Sequence, residues 1–202
     1  MNFSTVAAIV LAAGSSARMG KPKQLIEFEG QSLLRRTVET VIASSVDFVV
    51  VTTADNGVDF ARELSGLDWT AAQVEKPEQG QSESVRAGLS TVEEYGDFDA
   101  ILFTPCDLPL LSIEHLDALL AKYRRGDWDI VASRYDGIAG APLIIGRTLW
   151  PEIWELRGDT GMRKILPSRR ASTLCIEWED GKFDLDTPED VEALLNRRRI
   201  ME

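Results

Sequence analysis

Short apolar runs alternate along the chain with segments in which apolar residues recur at helical spacing. The run Val6–Leu11 is continuous and apolar, as is typical of a strand that is buried on both faces of a parallel sheet. Apolar residues between Leu33 and Ile42 recur at helical spacing, which predicts a helix. The same reasoning predicts strands at Phe48–Val51, Thr70–Val74, Ala100–Thr104 and Ile130–Ala132, and helices at Val58–Leu64, Ser84–Val92 and Ile113–Tyr123.

The alternation of strands and helices predicts the α/β class, in a three-layer Rossmann-like fold with a mostly parallel central sheet. After Gly137 the pattern is less regular, and it predicts strands at Leu143–Ile145 and Thr173–Ile176 and helices at Leu149–Leu156 and from Thr187 onward. No repeat, low-complexity tract or linker interrupts the sequence. We therefore expect residues 1–202 to form a single domain.

The composition limits the kinds of partner that we expect the protein to bind. The chain has 202 residues, of which 44% are hydrophobic and 27% charged, a balance and length that suit one domain with a full core. The formal net charge of -11 argues against a nucleic-acid partner, because phosphate backbones attract basic surfaces. Small phosphorylated ligands remain compatible with it, since they need only a few local Lys and Arg side chains.

The cysteines and the apolar runs predict a cytoplasmic protein. Cys106 and Cys175 form no metal-type pair and no disulfide-rich pattern, which is typical of a reducing compartment. No Lys or Arg precedes the apolar run that begins at Val6, which favours a buried strand over a secretory signal. No apolar stretch approaches the ~20 residues that cross a bilayer, and we expect no membrane partner.

The segment that follows the first strand carries the strongest chemical signal. Between Leu11 and Lys23 it combines small residues, hydroxyls, glycines and three cations. Small residues let backbone N–H groups approach phosphate oxygens closely, Arg18 can fork onto a phosphate and Lys23 can place a compact charge there. The segment is neither a Walker loop nor a dinucleotide-binding motif. A plain tight turn would need its glycines but not its cations.

The motif Leu-Ala-Ala-Gly-x-Ser-x-Arg-Met-Gly, followed by Lys23, resembles the nucleotidyltransferases of molybdenum-cofactor maturation, which are the molybdopterin cytidylyl- and guanylyltransferases. Sugar-phosphate nucleotidyltransferases share the first half of this pattern but usually have Arg-Leu where this chain has Arg18-Met19. Further blocks of the resemblance follow in order at residues 80–89, 105–109, 140–142, 158–163 and 184–190.

The resemblance implies a nucleotidyltransferase fold and assigns the site residues. The catalytic residues would be Arg18, Lys23 and Asp107. The nucleotide would bind to Leu11, Ala12, Ala13, Gly14, Ser15, Ser16, Arg18, Lys23, Gln81 and Ser82. The phosphorylated acceptor would bind to Gly140, Pro142, Gly158, Asp159 and Arg163. From the residues alone, Gln81, Ser82 and Ser84 are equally explained as a polar cap before a helix at Val85.

Magnesium is the expected cofactor. Triphosphate chemistry usually needs Mg²⁺, which takes only one or two protein carboxylates. The resemblance points to Asp107 and Asp186 as its ligands, with Asp184 next, and Asp184 and Asp186 can point to one face of an extended segment. The alternative for Asp107 and Asp186 is an ordinary loop or helix-start aspartate.

The resemblance also suggests the substrates. Leu-Ala-Ala-Gly accompanies cytidine in the family that this chain resembles and Leu-Ala-Gly-Gly accompanies guanosine, so Ala13 favours CTP, with molybdopterin as the acceptor and a molybdoenzyme or its chaperone as a further partner. Lys76 and Ala141 depart from the family pattern, so a phosphosugar or phosphoalcohol acceptor stays open. GTP as the donor stays open too, as does a non-catalytic carrier of the molybdenum cofactor.

Two kinds of ring side chain are expected in packing rather than in chemistry. His115 is the single histidine and lies within a predicted helix, which favours a surface or packing role over catalysis. Trp150 and Trp154 are four positions apart on a predicted helix, which favours packing in the core or at a subunit interface.

Overall fold

The computed structural model describes residues 4–14, 22–162, 172–183, 190 and 194. The strands are β1 Val6–Leu11, β2 Glu27–Phe28, β3 Gln31–Ser32, β4 Phe48–Thr53, β5 Thr70–Gln73, β6 Ala100–Pro105, β7 Ile130–Tyr135, β8 Ile138–Gly146 and β9 Thr173–Glu177. The helices are α1 Leu33–Ala43, α2 Phe60–Glu63, α3 Gln81–Tyr95, α4 Ile113–Arg125 and α5 Trp150–Trp154. The predicted helix from Thr187 falls mostly outside the described residues.

The strands form a mostly parallel central sheet in the order β5-β4-β1-β6-β8-β7-β9. Strand β1 pairs in parallel with β4 on one side and β6 on the other. Strand β8 is inserted antiparallel between β6 and β7, and β9 extends the sheet in parallel with β7. The predicted fold class is confirmed.

Side chains alternate between the two faces of the sheet, as the pleat of a strand requires. Ala8 and Val10 belong to a buried cluster that includes residues of α1 and α4. Ala7 and Ile9 belong to a second cluster, with residues of α3 and α5. Helix α3 lies very close to β1, because a Cβ on Gly88 would stand 2.6 Å from Ile9 Cγ2.

Several elements extend beyond their predicted bounds. Strand β8 begins at Ile138 rather than Leu143, because Asp136 and Gly137 turn the chain back onto β7 with φ values of 50° and 74°, the left-handed conformation of a tight hairpin. Helix α3 begins at Gln81, three residues before the predicted start at Ser84. The small β2–β3 hairpin was not predicted.

His115 is a packing residue, as expected. It is buried on α4 and its ring stacks on Trp178 with centroids 4.5 Å apart. Its Nε2 lies 2.8 Å from Ser133 Oγ, and this hydroxyl donates to the carbonyl of Pro142 at 2.7 Å. Since the hydroxyl proton is used on Pro142, Nε2 must carry the ring proton. Burial lowers the pKa of His115 to about 4.

The two tryptophans of α5, Trp150 and Trp154, also pack against the core. Trp150 is buried, and Trp154 packs partly buried against the same cluster beside α3. Within the part of the chain that the structure describes, no helix combines the length and the hydropathy that a bilayer crossing demands.

Candidate active site

The site forms where β1 and β6 end side by side. The two strands are parallel and in register up to the pair Leu11 and Pro105, so the segments that follow them leave the sheet at the same edge. This is the edge at which open α/β sheets bind ligands. The fold therefore brings the residues after Leu11 and the loop that contains Asp107 to one place.

Thr52 holds the start of the loop that follows β1. Its hydroxyl oxygen accepts hydrogen bonds from the backbone N–H groups of Ala12 at 2.9 Å and Ala13 at 3.3 Å, and the hydroxyl reaches the Val10 carbonyl at 3.4 Å. Thr52 is fully buried on the neighbouring strand β4. The backbone of the loop is thus fixed before it reaches Gly14.

Lys23 and Asp107 meet across the cleft. Lys23 begins a short 3-10 turn, Lys23–Leu25, and its Nζ lies 3.5 Å from Oδ2 of Asp107. Their side chains are 23% and 25% exposed, so both charges remain accessible to a ligand. A cation and a carboxylate at this separation suit a triphosphate with its counter-ion.

Helix α1 holds the Asp107 loop in place. Thr37 is buried and donates its hydroxyl hydrogen to the Cys106 carbonyl at 3.3 Å, and Arg36 donates from Nε to the Pro109 carbonyl at 2.9 Å.

Burial lowers the pKa of Arg36. Burial and the neighbouring Asp107 charge raise the pKa of the Cys106 thiol, so the thiol stays protonated and is a poor nucleophile.

The opposite wall comes from the start of α3 and the loop that reaches it from α5. Gly80 has φ 102°, and a Cβ there would lie only 2.3 Å from the carbonyl carbon of Gly158. The two backbones therefore touch, and the N–H of Ser82 donates to the Gly158 carbonyl at 3.1 Å. This contact places Asp159 at the cleft.

A cleft of about 370 Å³ lies between these walls. Its lining comprises Leu11, Ala12, Ala13, Gly14, Lys23, Gln24, Pro77, Gly80, Gln81, Ser84, Pro105, Cys106, Asp107 and Asp159. Small residues and backbone form the side next to β1, while amide, hydroxyl and carboxylate groups form the others. We call this the nucleotide cleft, after the ligand that the sequence resemblance predicts for its residues.

A second cavity of about 550 Å³ adjoins the first. The two share Leu11, Gln81, Pro105, Asp107 and Asp159. The second is lined further by apolar side chains on β6 and β8 and by Tyr135, Asp136 and Lys182 at its rim. Asp107 stands where the two spaces meet, and we call the second space the acceptor cavity, after the phosphorylated acceptor that the sequence resemblance predicts.

Comparison with known proteins gives the family. A family model described as the MobA-like NTP transferase domain matches residues 8–173. The chain belongs to this family. The resemblance that the sequence motifs carry is thereby confirmed at the level of the family.

Relatives match this NTP transferase over most of its length. The purine catabolism protein PucB of Bacillus subtilis is 29% identical over 96% of each chain. A probable molybdenum cofactor guanylyltransferase of Natranaerobius thermophilus is 21% identical over 93% of each chain. The crystal structure of an Rv0371c homologue from Mycobacterium sp. strain JC1 superposes with a TM-score of 0.79, 27% identity and 98% coverage of both chains.

Most described residues that were assigned to nucleotide binding in this transferase lie together. Those in the lining of the nucleotide cleft are Leu11, Ala12, Ala13, Gly14, Lys23 and Gln81, and Asp107, which was assigned as a catalytic residue and metal ligand, lines it too. Ser82 does not lie there, because it is fully buried against the Gly158 backbone. Ser84, two positions further along α3, lines the cleft instead. The two hydroxyls point in different directions because both residues lie within α3, where positions two apart are rotated by about 200°.

The residues assigned to the acceptor are placed less uniformly. Asp159 lines both spaces. Gly140 and Pro142 are buried in β8 outside both linings, and Ala141 between them faces the acceptor cavity. Gly158 contributes its backbone contact with α3 rather than a lining atom.

Several functional candidates were missed, and others fall outside the described residues. Tyr135, Asp136 and Lys182 gave no sequence signal, because the hairpin and the turn that carry them were not predicted. Gln24 follows Lys23 directly and lines the nucleotide cleft, a position that the motif could have indicated.

The assigned residues outside the described part are Ser15, Ser16, Arg18, Arg163, Asp184 and Asp186, and their roles stay predictions.

Asp107 fits a magnesium site. Its carboxylate is partly exposed at the junction of the two spaces, and oxygen is the ligand that Mg²⁺ prefers. Within residues 4–14, 22–162, 172–183, 190 and 194, no three His, Cys, Asp or Glu side chains gather closely enough to form a complete metal cage. Mg²⁺ at triphosphate sites needs no such cage, because substrate phosphates and waters supply its other ligands.

Proposed function

We propose that this NTP transferase moves CMP from CTP to the terminal phosphate of molybdopterin and releases pyrophosphate. One observation carries the proposal. Asp107 stands at the junction between the nucleotide cleft and the acceptor cavity, and its charge is paired with that of Lys23 in the nucleotide cleft. That junction is where the α-phosphate of a nucleotide in the first space would meet an acceptor in the second.

The reaction is an in-line displacement. An oxygen of the acceptor phosphate attacks the α-phosphorus, and the bond from that phosphorus to the bridging oxygen of the β-phosphate breaks, so that pyrophosphate leaves. Lys23 neutralises charge on the triphosphate, and the rigid loop at Ala12 and Ala13 positions it. Such transfers depend on positioning and charge stabilisation.

The side chains of the site are consistent with a mechanism that needs no protein nucleophile or base. A phosphate monoester is already anionic at neutral pH and attacks without losing a proton to the enzyme. The Cys106 thiol is buried and protonated. His115 lies outside the linings of both spaces and is hydrogen-bonded in the core.

Magnesium would be held by Asp107, with Asp186 and Asp184 as the further ligands that the family resemblance assigns. When bound, Mg²⁺ would neutralise the triphosphate and stabilise the charge that develops as pyrophosphate leaves. Lys23 would then hold phosphate oxygens while Asp107 holds the metal.

Ala13 supports cytidine as the base. Its side chain is buried in a cluster with Ala54 and Val74 at a position that lines the nucleotide cleft, and glycine there would leave more room for a purine. Relatives carry both specificities in their names: several are probable molybdenum cofactor guanylyltransferases, and one is a 2-C-methyl-D-erythritol 4-phosphate cytidylyltransferase. GTP is therefore the second candidate donor.

The acceptor cavity supports a heterocyclic acceptor. Its walls include Phe103, Leu143 and Met162, while Asp136 and Asp159 stand at its polar positions. Apolar walls suit a flat ring system, and carboxylates accept hydrogen bonds from ring N–H and amino groups. A pterin offers both features, whereas a phosphosugar offers mainly hydroxyl groups.

Pyrophosphate release tests the proposal. The protein is incubated with Mg²⁺, one of CTP, GTP or ATP, and either molybdopterin, its molybdate-loaded form or a phosphosugar. We expect release with CTP and molybdopterin, several-fold faster than with any other pair. Release only with a phosphosugar would contradict molybdopterin as the acceptor. Faster release with GTP than with CTP would contradict cytidine as the base. Binding of molybdopterin without turnover would identify the protein as a carrier.

A further inference from the structure

The side chain of Gln24 clamps the loop that follows β1. Gln24 is 2% exposed, and its Nε2 donates to the carbonyls of Ala12 at 2.5 Å and Gly14 at 2.8 Å. Because both partners are carbonyl oxygens, which only accept, the amide nitrogen and not Oε1 must face them. Both hydrogens of the amide are therefore committed to the loop.

This clamp complements the one that Thr52 makes. Thr52 Oγ1 accepts from the N–H groups of Ala12 and Ala13, while Gln24 donates to the carbonyls of Ala12 and Gly14. Asn56 Nδ2 reaches the same two carbonyls at the longer distances of 3.5 and 3.4 Å. The start of the loop is thus held at its donors from one side and at its acceptors from the other.

Gln24 also fixes the turn that carries Lys23. The two residues are adjacent in the 3-10 turn Lys23–Leu25. A lysine side chain is long and flexible, so the position of its ammonium group depends on a firmly held backbone. By bonding to Gly14, Gln24 ties the base of Lys23 to the loop, and Lys23 in turn reaches Asp107.

The oxygen end of the same carboxamide is placed differently from the nitrogen end. Gln24 Oε1 is buried and receives no hydrogen bond from any residue in the described part of the chain. A buried acceptor without a donor lowers stability, and an apolar side chain of equal size would avoid that loss. Among the described residues, Gln24 therefore contacts the loop through Nε2 alone.

We propose that Gln24 is a positioning residue for triphosphate binding, which holds the loop at Ala12 and Gly14 and the turn of Lys23 as one rigid unit. The inference rests on the proposed function, since it takes the nucleotide cleft to bind a nucleoside triphosphate. It predicts that Gln24 affects the affinity for the triphosphate much more than it affects the affinity for the acceptor or the stability of the fold.

The test uses Gln24→Met, which keeps the length of the side chain but removes both donors. Titration calorimetry with CTP and with GTP, each with Mg²⁺ and without acceptor, gives the Kd directly. We expect the Kd to rise by about tenfold or more and the Tm to stay within about 5 °C of wild type. In turnover, the KM for the triphosphate should rise while the KM for the acceptor stays unchanged.

Gln31→Met is the matched control. Gln31 donates to Glu39 at 2.9 Å on β3, away from the nucleotide cleft, so this variant should bind triphosphate like wild type. Gln24→Asn keeps the carboxamide but is one methylene shorter, so its donors fall short of the two carbonyls; it should also weaken binding, and it serves if Gln24→Met does not fold.

The outcomes separate the two proposals. If wild-type protein binds neither triphosphate, the proposed function fails and the inference fails with it. If wild type binds and Gln24→Met binds equally well, only the inference fails. A Tm loss above about 5 °C relative to Gln31→Met would give Gln24 a structural role instead and would also overturn the inference.

Discussion

Lys23 Nζ lies 3.5 Å from Asp107 Oδ2, although the two residues come from different segments that meet only at the end of the sheet. Each side chain is about a quarter exposed, and an ion pair of this exposure contributes about 0.2–1 kcal/mol to stability at most. The fold therefore gains little from bringing these charges together. Under the proposed function, their value lies in what they do for a bound triphosphate.

Replacement of either charge should abolish turnover without unfolding the protein. For Lys23→Ala and Asp107→Asn we expect kcat/KM to fall by about 100-fold or more, because the triphosphate loses its cation or its metal ligand. The Tm should move by no more than about 4 °C. Pyrophosphate release and thermal unfolding measure the two effects. Lys122→Ala, a lysine on α4 outside the linings of both spaces, is the control and should be fully active.

Asp136→Asn should weaken binding of the acceptor without affecting binding of the triphosphate. Asp136 has φ 50° in the hairpin between β7 and β8, and asparagine tolerates this conformation as well as aspartate, so the turn survives while the charge is lost. We expect the KM for the acceptor to rise about fivefold to tenfold and the KM for the triphosphate to stay unchanged. Steady-state kinetics in each substrate would decide, and equal changes in both would argue against an acceptor role.

Gly80→Ala should damage the wall of the site, whereas Gly57→Ala should not. Both glycines have positive φ, 102° and 81°, so alanine is strained at each by about 1–2 kcal/mol. At Gly80 the new methyl group would also meet the Gly158 backbone at 2.3 Å, but at Gly57 nothing lies within 4 Å. Both variants should have a lower Tm than wild type. Only Gly80→Ala should also bind the triphosphate more weakly, as measured by calorimetry.

Ala13→Gly should shift the choice of base toward purines. Removal of the methyl group that packs on Ala54 and Val74 would let the loop settle deeper and widen the nucleotide cleft. We expect the ratio of kcat/KM for GTP to that for CTP to rise by about tenfold. The measurement is pyrophosphate release with each triphosphate in turn. An unchanged ratio, with activity intact, would mean that another residue selects the base.

His115 should make the protein less stable in mild acid. Its pKa is about 4 in the fold against an ordinary 6.5 in the unfolded chain, so between these values the unfolded state binds more protons. Stability from this group is therefore complete above pH 6.5 and falls as the pH drops toward 4, by up to about 3 kcal/mol.

Urea unfolding at several pH values between 4 and 7 measures this loss. His115→Gln can still donate to Ser133 but does not titrate, so its stability should fall less over the same range. If wild type and His115→Gln changed in parallel, the acid sensitivity would come from other groups.

The sequence predicted the parts of this protein that local pattern and motif determine. Apolar runs gave β1, β4 and β6 nearly to the residue, because strands that are buried on both faces must be apolar throughout. The motif from Leu11 to Lys23 and the position of Asp107 after β6 pointed to one edge of a parallel sheet. Parallel strands placed their carboxyl ends together there.

The sequence could not predict which neighbours of a motif residue face the site. Ser82 and Ser84 look alike in the sequence, but one is buried on Gly158 and the other lines the cleft. Both lie within α3, where residues two positions apart point about 200° away from each other around the helix axis, and α3 begins beside the backbone contact between Gly80 and Gly158. No pattern of apolar positions records such a contact.

By itself, the sequence determined the α/β class, the family and the charged residues at the centre of the site, since periodicity and short motifs are local properties. Only the tertiary structure decided that Gln24 clamps the loop, that Ala141 rather than Gly140 and Pro142 lines the acceptor cavity, and that Asp136 stands at its rim. Those roles depend on contacts between segments far apart in the chain, which form only when the sheet brings them together.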